Sequence, residues 1–168
     1  GHIRRTALEA PFWSWGDGDF WKLDDLEGVT ADWAGNIYAI TSHSRDSDGD
    51  ERKSRERLVR FRIEGDSVVD PRVVGSLKRD LTAAHPELAA AAGIRQVKSE
   101  GGLNIEALAM SADQNRLLIG FRSPLVDGRA IIASIENPGA IFDGDERPRI
   151  GATLTTLDLG GNGIRGMS

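Results

Sequence analysis

The sequence predicts an all-β protein built from propeller-like blades, on the basis of three observations. Short runs rich in Ile, Val, Leu and Phe recur along the chain, each bounded by Gly, Asp, Asn or Pro, as expected for strands in a meander. A degenerate internal repeat opens two groups of these strands in the same way. A single stretch has the composition of a helix. Together they predict about two complete four-stranded antiparallel blades, the start of a third, and one short helical insertion.

The strands are predicted from β-branched and aromatic content. Six segments qualify, at residues 36–42, 58–63, 67–75, 116–122, 130–135 and 152–159. Turn signals lie between neighbouring segments, at Ala34-Gly35-Asn36, Glu64-Gly65-Asp66, Asp113-Gln114-Asn115 and Val126-Asp127-Gly128. Gly, Asn and Asp tolerate the positive φ that tight turns require, so this spacing predicts hairpins between consecutive strands.

The internal repeat sets the boundaries of the blades. Leu26-Glu27 and Ile105-Glu106 each open a strand that is followed by a turn and a second apolar strand, and Ile164-Arg165 opens a third copy. Counting four strands after each opening predicts the blades. They are blade one at residues 26–75, blade two at residues 104–159 and the start of blade three at residues 164–168.

Two further segments lie outside the repeat. Residues 80–93 are predicted to be the helical insertion, with Pro86 in a first turn, an alanine run after it, and Gly93 at the end. Residues 1–23 are rich in aromatic side chains, including Trp13 and Trp15, and we interpret them as an outer strand or as a cover for a blade face. Propellers usually need about four to eight blades. The missing blades are therefore expected from the rest of a longer chain or from other copies.

The composition excludes several partners and sites. The chain has 21 basic and 26 acidic residues, mixed along its length, and a formal net charge of -5, so nucleic acid is not an expected partner. No run approaches the roughly 18 apolar residues that span a bilayer, so a soluble protein without membrane contact is predicted. The absence of cysteine excludes disulfides, thiolate zinc sites and thiol nucleophiles. The compartment, cytoplasmic or exported, stays open.

Three charged residues occupy the same position in the repeat. Glu27, Glu106 and Arg165 each follow the first residue of an innermost strand, and equivalent strands of a propeller direct equivalent side chains toward the central channel. Three interpretations are open: an ion-pair cluster in which Arg165 neutralises the two carboxylates, a clamp for an anionic ligand, or a site in which Glu27 and Glu106 hold Ca²⁺ or another divalent cation through carboxylate oxygens.

Two more candidates end the second strands of the blades. His43, flanked by Ser42 and Ser44, and Arg122 are expected on one rim. A neutral imidazole is a candidate general base, and a guanidinium binds phosphate or carboxylate bidentately. The structural alternative is that His43 donates to a loop carbonyl while Arg122 pairs with a carboxylate of the neighbouring blade. No Ser/His/Asp triad can be assembled from the spacing, because side chains adjacent along a strand point to opposite faces.

The acidic loop at residues 46–56 resembles a calcium-binding loop only at its start. Its acids alternate, but the sixth position is Glu51 where a calcium loop needs Gly, and the twelfth is Arg57 where it needs Glu. We therefore predict an exposed, solvated hairpin loop without metal.

Five short motifs in order carry a family resemblance. They are Asp25-Leu26-Glu27-Gly28-Val29, Ser42-His43-Ser44, Gly102-Leu103-Asn104-Ile105-Glu106, Gly120-Phe121-Arg122-Ser123-Pro124 and Gly161-Asn162-Gly163-Ile164-Arg165. In order and spacing they resemble a bacterial β-propeller family catalogued only as domain of unknown function number thirty-six sixteen, akin to the phytase-like and SdiA-regulated-like propellers. Members of that family are about twice as long, so the resemblance implies a partial chain. It implies a fold and candidate positions, without a reaction.

The function predicted from these residues is binding of an anionic small molecule at a charged central channel. The recognition set is Glu27, His43, Glu106, Arg122 and Arg165. Two alternatives come from different classes. The first is a metal-assisted hydrolase of the phosphoesterase or lactonase type, in which the two glutamates hold the ion and His43 transfers protons. The second is a non-catalytic propeller that binds other proteins. The fold class does not choose among them.

Overall fold

The described part of the chain consists mainly of two four-stranded antiparallel sheets. The computed structural model describes residues 19–168; the predictions made for Trp13, Trp15 and the rest of residues 1–18 lie outside the described residues. Sheet 1 has the strand order β1 (Leu26–Ala31), β2 (Ile37–Thr41), β3 (Leu58–Glu64), β4 (Ser67–Val74). Sheet 2 has the order β5 (Asn104–Met110), β6 (Leu117–Ser123), β7 (Ala130–Ile135), β8 (Thr155–Leu157). Within each sheet, every strand pairs with the next along the chain, and the predominance of strands confirms the predicted all-β class.

The first hairpin of sheet 1 shows how the local sequence defines a turn. Asp32 accepts hydrogen bonds on its carboxylate from the Asn36 backbone N–H (2.9 Å), the Asn36 amide (2.8 Å) and the Tyr38 hydroxyl (3.0 Å). Gly35 has a φ of 86°, a conformation that is unstrained only without a Cβ. The turn therefore sets the register of the β1–β2 pair, and with it the positions of the residues at the other end of β1.

The helical insertion is more broken than the sequence predicts. In place of one helix at residues 80–93 there are three short ones: α1 (Leu77–Ala84), α2 (Pro86–Gly93) and α3 (Val97–Glu100). The break falls at His85, whose extended backbone (φ -133°, ψ 113°) is the conformation that a residue preceding proline favours. The sequence also did not predict α4 (Pro138–Asp143). Among residues 19–168, no helix has the length and apolar character needed to cross a bilayer.

The main core lies between the two sheets and the insertion. Tyr38 and Ile40 of sheet 1 belong to the same buried cluster as Leu108 and Ile119 of sheet 2 and Leu88 of α2. Burying each such side chain stabilises the fold by about 1.5–3 kcal/mol. The contact also requires a close backbone approach, because a Cβ on Gly28 would lie 2.6 Å from the Leu108 nitrogen. The insertion is thus part of the core, and it brings α3 to the ends of β1 and β5.

Equivalent residues of the two sheets differ in exposure. Leu26 and Val29 in β1 are 51% and 57% exposed, whereas their counterparts Ile105 and Leu108 in β5 are 0% and 1% exposed. Sheet 1 covers that face of sheet 2, and the matching face of sheet 1 is covered in part by Phe20. The described end of the aromatic N-terminal segment therefore acts as a partial cover, and the inner strand of sheet 1 stays open.

The third copy of the repeat lies on the far face of sheet 2. The Ile164 backbone N–H donates to the Phe121 carbonyl (2.9 Å), and Ile164 packs with Ala107 and Ala130 in a small apolar cluster. A Cβ on Gly120 would lie 2.8 Å from the Ile164 side chain. Ile164 therefore has the same kind of contact with sheet 2 that Ile105, whose N–H donates to Ser42, has with sheet 1.

Candidate functional site

The two repeated glutamates lie at β-bulges. The register between β1 and β2 shifts between Leu26 and Gly28, and the register between β5 and β6 shifts between Ile105 and Ala107. Glu27 and Glu106 are thus the extra residues of two equivalent bulges. A bulge changes the direction of its side chains and is common beside functional sites. Here both glutamates line the same cavity.

The glutamates and the adjacent arginine face a cleft with two halves. The acidic cavity, of about 460 Å³, is lined by carboxylates including Asp25, Glu27 and Glu106. The glycine-loop cavity, of about 580 Å³, is lined by Gly161, Gly163 and Arg165. Four residues are common to the linings of both cavities: Val97, Lys98, Asn104 and Arg122. The second half of the cleft was not predicted, because it depends on where α3 and the third repeat lie in space.

Arg122 is held at the boundary between the two cavities. Its Nη1 donates to Glu106 Oε1 at 2.8 Å, and the Asn104 amide donates to the same oxygen at 3.2 Å. The Arg122 side chain is 37% exposed, against 13% for Glu106. A guanidinium has five N–H donors, so the Glu106 contact orients the group and leaves other donors directed at the cleft.

Glu27 is a carboxyl group in an unfavourable environment for its charge. Burial, followed by the nearby charges of Asp25 and Glu106, raises the pKa of Glu27, while Arg122 acts in the opposite direction. Asp25 itself forms an ion pair with Arg55 at 3.3 Å. Glu27 therefore keeps its proton to a higher pH than an exposed glutamate. In its protonated form the carboxyl group can donate a hydrogen bond, whereas an ionised carboxylate only accepts.

The donor set does not form a metal centre in the described part of the chain. Residues 19–168 contain no group of three or more His, Asp and Glu side chains arranged to hold a metal ion. Glu106 Oε1 already accepts two hydrogen bonds, and the guanidinium that neutralises this carboxylate would repel a cation. The interpretation of Glu27 and Glu106 as calcium ligands thus gains no support from the geometry.

The acidic loop is organised by its own hydrogen bonds. Asp46 accepts from the backbone N–H groups of Asp48 (3.0 Å) and Asp50 (2.9 Å) and from Arg52 Nε (2.6 Å). The Arg52 hydrogen bond, followed by that of the Asp50 N–H, lowers the pKa of Asp46 to about 2. Asp48 and Asp50 are exposed, as predicted, but Gly49 is buried beneath Arg95, which also donates to Asp50 at 3.0 Å. The arginines take the role of counterions to these acids.

His43 lies in the interior and not on the rim. Its side chain is fully buried, and Nδ1–H donates to the Thr41 carbonyl at 2.8 Å. Nε2 is buried and has no hydrogen-bond partner. Burial, together with the positive charges of Lys78 and Arg57, lowers the pKa of His43 to about 4. A buried neutral imidazole that does not line the cleft is not placed to act on a ligand there. It donates to a carbonyl, as in the structural alternative, but the acceptor is Thr41 at the end of β2 and not a loop residue. Arg122 likewise pairs with Glu106 of its own sheet and not with a carboxylate of the neighbouring one.

Arg165 lies apart from the two glutamates. It lines the glycine-loop cavity with Arg122, and within residues 19–168 it forms no ion pair. The structure therefore brings Glu27, Glu106 and Arg122 together and puts Arg165 in the adjoining half of the cleft.

Sequence reasoning missed two of the polar residues that line both halves of the cleft. Asn104 immediately precedes the Ile105-Glu106 motif, and a polar residue at the start of an innermost strand was the available signal. Lys98 had no such signal, because its place in both cavities follows from the packing of α3.

Comparison with known proteins adds no relative. No protein-family model matches the chain, and no curated protein is significantly similar to it in sequence. The family resemblance carried by the five motifs therefore stays a prediction, and the function is argued from the site alone.

Proposed function

We propose that this chain binds a small anionic molecule in the cleft around Arg122. The observation that carries the proposal is the geometry of Arg122. Glu106 holds one edge of the guanidinium at 2.8 Å, and the side chain, 37% exposed, faces both cavities. An oriented guanidinium at the edge of a concave site loses little conformational entropy when it binds a carboxylate or a phosphate.

The charges around Arg122 favour binding of an anion over binding of a cation in the glycine-loop cavity. Lys98 lines both cavities, Arg165 lines one, and neither forms an ion pair within residues 19–168. Arg55 and Arg95, in contrast, are paired with Asp25 and Asp50. Lys98 and Arg165 are therefore the cations that remain available to a ligand beside Arg122.

We also propose that the two sheets are successive blades of a β-propeller, so that the cleft lies at the mouth of a central channel. Three features support this proposal: the equivalent bulges at Glu27 and Glu106, the packing of Ile164 on sheet 2, and the open face at Val29. In a ring, a preceding blade would cover Val29 as sheet 1 covers its equivalent Leu108. Where the further blades come from is part of the proposal: either the rest of a longer chain or other copies.

Isothermal titration calorimetry with inorganic phosphate and with gluconate tests the binding proposal. Arg122→Gln removes the charge and the bidentate donor pair, so we expect it to weaken both anions by about tenfold or more, since a hydrogen bond to a charged group contributes about 1.5–3 kcal/mol. Arg129→Gln is the matched control, because Arg129 is exposed and lines neither cavity. Arg129→Gln should change the affinity for either anion by no more than about twofold, because Arg129 acts on a bound anion only through its screened long-range electrostatic field. Equal affinities for wild type and Arg122→Gln, or no binding of either anion at millimolar concentration, would contradict the proposal.

A further inference from the structure

We infer that the anion is the phosphoryl group of a small hydroxylated phosphate ester, bound between Arg122, Arg165 and the glycine loop at residues 160–163. This inference rests on the proposed function and names the ligand class of the same cleft. It depends on three features of the glycine-loop cavity: the backbone donors of the loop, the unpaired cations, and two acidic residues in its lining.

The glycine loop supplies backbone N–H groups beside Arg122. Gly160 and Gly161 have φ angles of 62° and 81°, a left-handed conformation that favours glycine. A Cβ on Gly163 would collide with the carbonyl oxygen of Arg122, so glycine there lets the loop lie directly against the end of β6. The N–H groups of Gly161 and Gly163 make no hydrogen bond within the described residues. The Gly160 and Asn162 N–H groups are already bonded, to Asp158 Oδ1 at 3.1 Å and to the Leu159 carbonyl at 3.2 Å. The N–H groups of Gly161 and Gly163 are therefore the two backbone donors that this loop can offer to an oxyanion in the cavity.

The cations suit a tetrahedral anion. Arg122 belongs to β6, Arg165 to the third repeat and Lys98 to α3, so donors reach the cavity from three separate parts of the fold. A carboxylate has two coplanar oxygens, which a single guanidinium can satisfy. A phosphate monoester has three terminal oxygens pointing in different directions and a charge near -2 at neutral pH, and it gains from every one of these donors. The distribution of donors therefore favours phosphate over carboxylate.

Two acidic residues of the same cavity predict the rest of the ligand. Glu87 of α2 and Glu100 of α3 are exposed carboxylates that line the same cavity. They would repel a second anionic group, which argues against a di- or tricarboxylate, and they can accept hydrogen bonds from hydroxyl groups. The volume of about 580 Å³ lies within the usual range for small-molecule sites, about 300–1,000 Å³. A phosphorylated sugar or similar phosphorylated polyol satisfies both the cationic and the acidic residues of the lining.

Calorimetry with two probes of similar size tests the inference. Glucose 6-phosphate and gluconate are both six-carbon polyhydroxylated anions. The first is mainly a pyranose ring with a phosphate at C6 and the second is an open chain with a carboxylate at C1, so the effect of Arg165→Gln on each probe is what isolates the anionic group. We expect glucose 6-phosphate to bind wild type about tenfold more tightly, since about 1.4 kcal/mol from the additional charged donors corresponds to that factor. Arg165→Gln should remove most of this difference and leave gluconate within about twofold, because the carboxylate depends mainly on Arg122. Arg129→Gln is again the control, and matching circular dichroism spectra and melting temperatures would show that the variants fold.

The outcomes separate the two levels of the argument. Equal affinities for the two probes, or a preference for glucose 6-phosphate that persists in Arg165→Gln, would overturn the inference. The proposed function would still be upheld in that case if Arg122→Gln weakens the binding of both probes. Binding of neither probe by wild type, or no effect of Arg122→Gln on either, would overturn both.

Discussion

Acidification should destabilise this protein through His43. The imidazole is fully buried, its Nε2 has no partner, and the cations Lys78 and Arg57 lie near it. Its pKa falls from the usual 6.5 to about 4 in the folded state, a difference worth about 3 kcal/mol. Well above pH 6.5 the imidazole is neutral in both states and has no effect on the pH dependence of stability. As the pH falls from 6.5 to 4, the unfolded chain binds the proton first, so the free energy of unfolding decreases.

The expected loss is large enough to measure well above the acid transition of the carboxylates. At pH 5 the linkage relation gives about 2 kcal/mol relative to pH 7.5, a sizeable part of the 5–15 kcal/mol by which domains are usually stable. The carbonyl of Thr41, which accepts from Nδ1–H, is the one nearby group that favours the charged ring. It is already included in the folded-state pKa.

Urea unfolding followed by tryptophan fluorescence, at several pH values between 7.5 and 4.5, measures the effect. His43→Asn removes the titrating group, and asparagine tolerates the backbone φ of 54° at this position. We expect His43→Asn to be less stable than wild type at pH 7.5, because it loses packing, and to lose less stability on acidification. Asp46 and the other carboxylates titrate in both proteins. The difference between the two plots of unfolding free energy against pH therefore gives the contribution of His43. Parallel curves for the two proteins would refute the reasoning.

Two further predictions concern packing and association. Gly28→Val should lower the free energy of unfolding by about 1–3 kcal/mol in denaturant titration, since its Cβ would lie 2.6 Å from the Leu108 nitrogen. Gly139→Ala is the control, because a Cβ there meets nothing within 4 Å, and it should be neutral or mildly stabilising. The open face of sheet 1 should make the 18.2 kDa chain self-associate as its concentration rises, and Val29→Asp should reduce the mean mass in light scattering while Trp33→Asp, at the β1–β2 turn, does not. A strictly monomeric wild type would show that this face is stable in water.

Local chemistry in the sequence was enough to predict the strands and their pairing. β2 and β6 were located from β-branched and aromatic runs, and their hairpins from turn residues such as Gly35 and Gln114, because propensity and turn geometry act over a few neighbouring residues. The equivalence of Glu27 and Glu106 was also available, since a repeated pattern implies a repeated backbone. The helical insertion was predicted less well. Pro86 was assigned correctly to a first helical turn. The predicted range of residues 80–93 leaves out the start of α1 at Leu77 and runs through the break at His85, because the apolar residues of α1 become informative only against the core.

The arrangement of the charged residues, in contrast, was decided by the tertiary structure. His43 and Arg122 end equivalent strands, yet the first is buried and the second faces a cleft, because different segments pack over the two ends. Arg165 was a candidate partner for both glutamates, and Arg122 is the residue that pairs with Glu106. Sequence alone determined which residues form strands, turns and equivalent positions, because those preferences are local. Which charges meet, and which group loses its water, depends on distances between segments far apart in the chain, and only the folded structure sets these.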